Sequence, residues 1–176
     1  VGLALVAAMA PAGAQPPIQG AVQHFTPVEP PQPAPEVVFT TLLGAPATLK
    51  AQRGKVVLLN FWATWCAPCI RELPTLDRLQ AWLGGRDFTV VLVSIDRGGA
   101  HQVSRFLKNR PLLEKLESHL DPKMQLARAL NVRQMPTTVL IDKTGQVVGR
   151  LDGVAEWDTP DAEALIRYYI RDGAKG

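Results

Sequence analysis

A chain of 176 residues, 47% of them hydrophobic, can bury one full core without help from disulfides. Its 19 Lys and Arg stand against 16 Asp and Glu, and the resulting +3 is spread along the sequence, so no basic run marks a nucleic-acid partner. No internal repeat and no glycine-rich phosphate loop is present, which argues against a repeat array or a nucleotide-binding fold.

The first ten residues, Val1 to Ala10, are apolar and uncharged, and Pro11-Ala12-Gly13-Ala14 supplies the small residues that a signal peptidase reads. Residues 1–14 are therefore expected to be the remnant of an export signal or of an N-terminal membrane anchor; a full span takes about 20 apolar residues. Residues 15–35 hold seven prolines and little apolar pattern. They read as a linker which, extended at about 3.1 Å per residue, would reach roughly 65 Å. A single domain is expected over residues 36–176.

Within that domain apolar strand runs alternate with amphipathic stretches, the pattern of a mixed α/β sheet covered by helices on both faces. Val56 to Trp62 reads as a central strand with Trp62 in the core. A helix is expected from Cys66 to about Leu83, since Leu73, Leu76, Leu79 and Leu83 recur at helical spacing; Pro74 should bend it and Gly84-Gly85 end it. Phe88 to Ile95 reads as a second buried strand, His101 to Asn109 as a helix, and residues 112–131 as a helical insertion. Thr137 to Ile141 and Gln146 to Leu151 flank the turn signal Asp142-Lys143-Thr144-Gly145. A last helix starts at Pro160, capped by Asp158 or Thr159, with Asp161 and Glu163 in its positive first turn. His101 and His119 are expected at the surface, Lys123, Arg128 and Arg133 on a solvated face, and Trp157 under the start of the last helix.

Cys66-Ala67-Pro68-Cys69 holds both cysteines of the chain and lies where the first strand hands over to the helix. A thiolate at a helix N-terminus is stabilised by the unpaired N–H groups, so Cys66 should ionise below the free thiol value of about 8.5 and act as a nucleophile. Two other readings stand beside redox chemistry. A structural bridge closing so short a loop would add only about 2 kcal/mol. A zinc site would need four ligands, and the remaining His24, His101 and His119 lack the short spacing that usually completes one.

The run Asn60-Phe61-Trp62-Ala63-Thr64-Trp65-Cys66-Ala67-Pro68-Cys69, with Met135-Pro136-Thr137-Thr138 before a strand, resembles the thioredoxin fold, and within it the exported TlpA/ResA/DsbE branch. Export, Glu72 three residues past the second cysteine, and extra sequence between Ile95 and Thr137 favour that branch. The resemblance implies a thiol:disulfide oxidoreductase with no cofactor beyond the Cys66–Cys69 disulfide. In that pattern Cys66 attacks, Cys69 resolves, and Pro136 follows a cis peptide bond beside the dithiol. Trp65, Met135 and Thr137 would meet the substrate, Met135 through backbone pairing with an extended segment. Asn60 departs from cytoplasmic thioredoxins, where a buried Asp serves the second cysteine; Glu72, one turn along the helix, is the expected replacement. Implied partners are disulfide-containing client proteins of the cell envelope, in cytochrome c maturation or assembly of the oxidase copper centre, and a membrane dithiol donor. The rival reading is a Cu(I) metallochaperone using Cys66, Cys69 and the Met135 thioether.

Overall fold

The strands are β1 (Thr26–Pro33), β2 (Phe39–Thr41), β3 (Pro46–Ala47), β4 (Val56–Trp62), β5 (Phe88–Ser94), β6 (Ser118–Leu120), β7 (Thr137–Ile141) and β8 (Gln146–Asp152). The helices are α1 (Ala67–Leu83), α2 (Gly99–Lys108), α3 (Gln125–Ala129) and α4 (Pro160–Asp172). These come from a computed structural model that describes residues 15–110 and 113–172. One mixed sheet contains every strand, in the order β1-β8-β7-β4-β5-β6-β2-β3.

All seven residues of β4 are buried, as its apolar run, broken only by Asn60, demands of a strand covered on both faces. It runs parallel to β5, Val56 opposite Phe88 through Trp62 opposite Ser94, and antiparallel to β7, Val57 opposite Ile141 through Phe61 opposite Thr137. A parallel neighbour requires a crossover, which α1 supplies as it packs on β5. Helix α1 turns Leu73, Leu76 and Leu79 into the core and continues through Pro74 to its C-cap at Gly84, whose N–H reaches the Gln80 carbonyl. Trp62 is fully buried and donates its indole N–H to Ser118 Oγ at 2.9 Å, which ties β4 to β6. The Asp142–Gly145 turn joins β7 to β8, with Asp142 Oδ1 accepting from the Thr144 and Gln146 amides.

Three expectations change. The proline-rich residues 15–35 do not form a linker: a 3-10 turn at Gly20–Val22 leads into β1, and Val22 and Phe25 are buried in the main core. Strand β1 pairs with β8, Thr26 opposite Arg150 and Gln32 opposite Val147 across an irregularity. It is the sheet's edge, where the missing N–H groups of its prolines leave no partner strand unpaired. The domain thus includes residues before Glu36, while the signal or anchor expected at residues 1–14 lies outside the described residues. Among its described residues, the stretch 112–131 expected to be helical carries β6 and only the five-residue α3. Asp77 of α1 anchors its start by accepting the amides of Glu114, Lys115 and Leu116 at 2.8–3.1 Å. His119 therefore sits half-buried on β6, stacked edge-on against Phe39, and burial holds its imidazole below the usual value. Of the two caps expected for α4, the structure selects Thr159: its Oγ1 accepts the Ala162 amide, while Asp158 pairs with Arg78.

Candidate active site

Cys66 is the N-cap of α1, in extended conformation, with Sγ accepting the Cys69 amide at 3.3 Å. The cap fits the residue, since a side chain that accepts from the first turn satisfies one of the four free amides there. Pro68 sits in that same first turn, where its missing N–H costs nothing. The two cysteines are joined as a disulfide with Cα atoms 5.3 Å apart. Both are covered: Cys66 is 5% exposed and Cys69 fully buried. The helix terminus is thus less open than the sequence implies, although Cys66 remains the one with access. Trp65, immediately before it, is 65% exposed, as expected of a side chain that can touch a partner.

Glu72 lies one turn beyond Cys69 on the same helix and is only 1% exposed. Three donors converge on it. Ala155 N and Trp157 Nε1 give to Oε1 at 3.0 and 2.8 Å, and Asn60 Nδ2 gives to Oε2 at 3.1 Å. Those bonds favour the carboxylate, but no ion pair among the described residues joins them and burial disfavours the charge more strongly, so Glu72 is raised from 4.5 to about 7. A carboxyl group poised near neutrality can hold or release a proton at the pH where exchange operates. Asn60, which cannot exchange protons itself, thus orients the group that can, and it also donates to Thr138 Oγ1 at 2.9 Å.

Met135–Pro136 is cis, with Pro136 buried and Met135 half-buried. The Pro136 carbonyl accepts the Gly153 amide at 2.9 Å, which fastens this loop to the one carrying Ala155 and Trp157. Thr137 is placed differently from expectation. It is fully buried, and its hydroxyl lies 2.9 Å from the Gln134 carbonyl and 2.8 Å from Asp152 Oδ1. Its side chain braces the proline loop and offers nothing to a substrate. Trp157 packs before the last helix as expected, but the sequence does not foretell its contact with Glu72 from a loop more than eighty residues downstream; a Trp three residues before a helix start carries no signal that its indole N–H is turned to a buried acid.

The comparisons bear on this geometry. Residues 29–166 match the family model described as Redoxin. The chain belongs to the Redoxin family. Its relatives in that family include thiol-disulfide oxidoreductase ResA of Geobacillus kaustophilus, 37% identical over 114 residues, which are 65% of this chain and 64% of the relative. ResA of Bacillus cereus is 34% identical over 120 residues, 68% of either chain. The match spans about two thirds of these relatives' own length. Among solved structures, a DsbE-type thiol:disulfide interchange protein of Chlorobium tepidum superposes with a TM-score of 0.71 at 31% identity, covering 80% of this chain and 96% of the other. The exposed lipoprotein thioredoxin Etrx1 of Streptococcus pneumoniae does so at 0.65 and 26%, over 78% and 99%. The fold is that of thioredoxin, and this Redoxin member is a thioredoxin-like thiol:disulfide oxidoreductase of the TlpA/ResA/DsbE type.

Proposed function

We propose that this oxidoreductase works outside the cytoplasm as a reductant of protein disulfides, with Cys66 as nucleophile, Cys69 as resolving thiol and Glu72 as the proton acceptor for Cys69. The observation that carries the reading is Glu72, sealed in the core one turn from Cys69 and raised to about 7. In the reduced protein the Cys66 thiolate attacks one sulfur of a client disulfide. A Cys66–client bond forms, the client bond breaks and the first client sulfur leaves as a thiolate. Cys69 then loses its proton to the Glu72 carboxylate and attacks the Cys66 sulfur. The Cys66–Cys69 disulfide forms, the second client sulfur leaves, and two electrons have passed to the client. A dithiol donor at the membrane restores the reduced state. Trp65 and the backbone of Met135 contact the client segment beside its disulfide.

The clients of this reading are envelope proteins whose cysteines must be reduced before a haem or copper centre is installed, which the likeness to ResA and DsbE supports. The test is capture in native extract. The Cys69→Ser variant is expected to accumulate a mixed disulfide with a discrete client, identified by mass spectrometry and released by dithiothreitol. Failure to capture any protein, or equal capture by Cys66→Ser, would overturn the reading.

A further inference from the structure

Asp96 is 1% exposed, lies two residues beyond the end of β5, and forms no ion pair among the described residues. Both carboxylate oxygens are nonetheless saturated. Oδ2 accepts the Thr64 amide at 2.9 Å and the Ser94 hydroxyl at 2.7 Å. Oδ1 is 2.8 Å from Thr64 Oγ1 and 2.7 Å from Gln102 Nε2. Gln102 also donates to Thr64 Oγ1 at 2.9 Å and accepts the Gly98 amide at 3.1 Å, so the network closes on itself across β5, α2 and the turn before α1. A buried carboxylate without a counter-ion is costly, and a core position beside a strand end would be served more simply by an apolar residue.

The position of its main partner gives the group a purpose. Thr64 is held from two sides, through its amide and its hydroxyl, and Trp65 and Cys66 follow directly. Neighbouring backbone groups fix the rest of the turn: Ile95 N–H reaches the Trp62 carbonyl at 3.1 Å, and Cys66 N–H reaches that of Ala63 at 3.1 Å. The exposed Trp65 indole thus stands on a backbone clamped at Thr64 on one side and at the Cys66 cap on the other. We propose that Asp96 is a positioning residue for the exchange reaction, setting the turn that presents the Cys66 sulfur and the Trp65 ring to an incoming disulfide. It acts through Thr64 and touches neither sulfur. The inference rests on the reductase reading given above for its natural substrate, and it assigns Asp96 to the first attack, leaving resolution by Cys69 to Glu72. A small displacement of reacting atoms is enough to slow such a step substantially.

Asp96→Asn tests this, because the amide nitrogen must face either the Thr64 N–H or the Gln102 amide, both donors. Thr64→Val removes the hydroxyl contacts, and Thr64→Ser keeps them. Attack by the reduced protein is timed in single turnover on oxidised insulin and on the small disulfide 5,5′-dithiobis(2-nitrobenzoate); resolution is timed from a preformed mixed disulfide. Asp96→Asn is expected to slow attack about ten-fold on insulin and about three-fold on the small disulfide, with resolution within about two-fold of wild type. Thr64→Val should follow it and Thr64→Ser should recover the wild-type rates. Unchanged attack, or attack and resolution falling together, overturns the proposal. Should Asp96→Asn fail to fold, the two Thr64 variants decide by the same criteria. Should wild type leave insulin oxidised, insulin lies outside its clients, the attack rate on the small disulfide alone decides the role of Asp96, and the reductase reading is decided by the capture experiment.

Discussion

A buried carboxyl group raised to about 7 has consequences for both kinetics and stability. If Glu72 takes the Cys69 proton, Glu72→Gln should slow release of the mixed disulfide by about 10² to 10⁴-fold, the usual worth of general-base help, and leave the first attack by Cys66 within about two-fold. Stopped-flow traces that show no slowing between pH 6 and 9 would remove Glu72 from the mechanism. The same proton affects folding. The unfolded chain releases it near 4.5 and the oxidised folded protein near 7, so between those values the folded state binds more protons. The contribution of Glu72 to stability is therefore highest below pH 4.5, falls by about 3 kcal/mol as pH rises to 7, and is level above. Urea titrations at pH 4, 5.5 and 7.5 should show that slope in the difference between wild type and Glu72→Gln; parallel profiles would contradict it. The cysteines differ in access, Cys66 being 5% exposed and Cys69 fully buried. Iodoacetamide at neutral pH should label Cys66 of the reduced protein first, and faster labelling of Cys69 would reverse the assigned roles.

The elements that were legible in the sequence are those whose pattern is set by their own burial. β4 and β5 are mostly apolar because both faces are covered, and α1 shows its leucines at helical spacing because one face meets the sheet. Glu72 could be picked out by its place one turn after Cys69, but its donors come from β4 and from the loop before α4, and no local pattern announces them. Asp96 was invisible for the same reason. β1 was missed because Thr-Pro-Val-Glu-Pro-Pro-Gln-Pro reads against a strand; only its place at the sheet's edge makes such a composition tolerable. Those prolines also leave few N–H groups on the rim for another chain to pair with. Its attachment is testable. A Cβ at Gly149 would overlap the Phe25 ring at Cζ, so the ring packs where only glycine leaves room. Phe25→Ala should cost about 3 to 5 kcal/mol in denaturant titrations, and Gly149→Ala about 1 to 3. A loss below about 0.5 kcal/mol for Phe25→Ala would return this segment to the role of a loose tether.

At the scale of the whole molecule, the sheet gathers residues from distant parts of the chain at one end of β4: the Cys66 cap, the Asp96 clamp, the Pro136 loop, and the loop that brings Ala155 and Trp157 to Glu72. This assembly places two buried acids, Glu72 and Asp96, near the dithiol and offers few means of stabilising a further negative charge. No Lys, Arg or His occurs from Trp62 to Ile70, and the residues between the cysteines, Ala67 and Pro68, have no side-chain donor. The reduced form thus draws its thiolate stabilisation mainly from the first turn of α1, and above pH 7 the Glu72 carboxylate opposes ionisation of Cys69. A dithiol whose reduced form is weakly stabilised gives up electrons readily, whereas the strong oxidant DsbA owes its potential of about −120 mV to a reduced form held stable. This protein should therefore equilibrate near the thioredoxin value of about −270 mV, a separation from DsbA worth about 7 kcal/mol for two electrons. Equilibration against glutathione or dithiothreitol buffers, read by alkylation and mass, measures it directly. A potential near −120 mV would make the protein an oxidant and reverse the direction proposed for it.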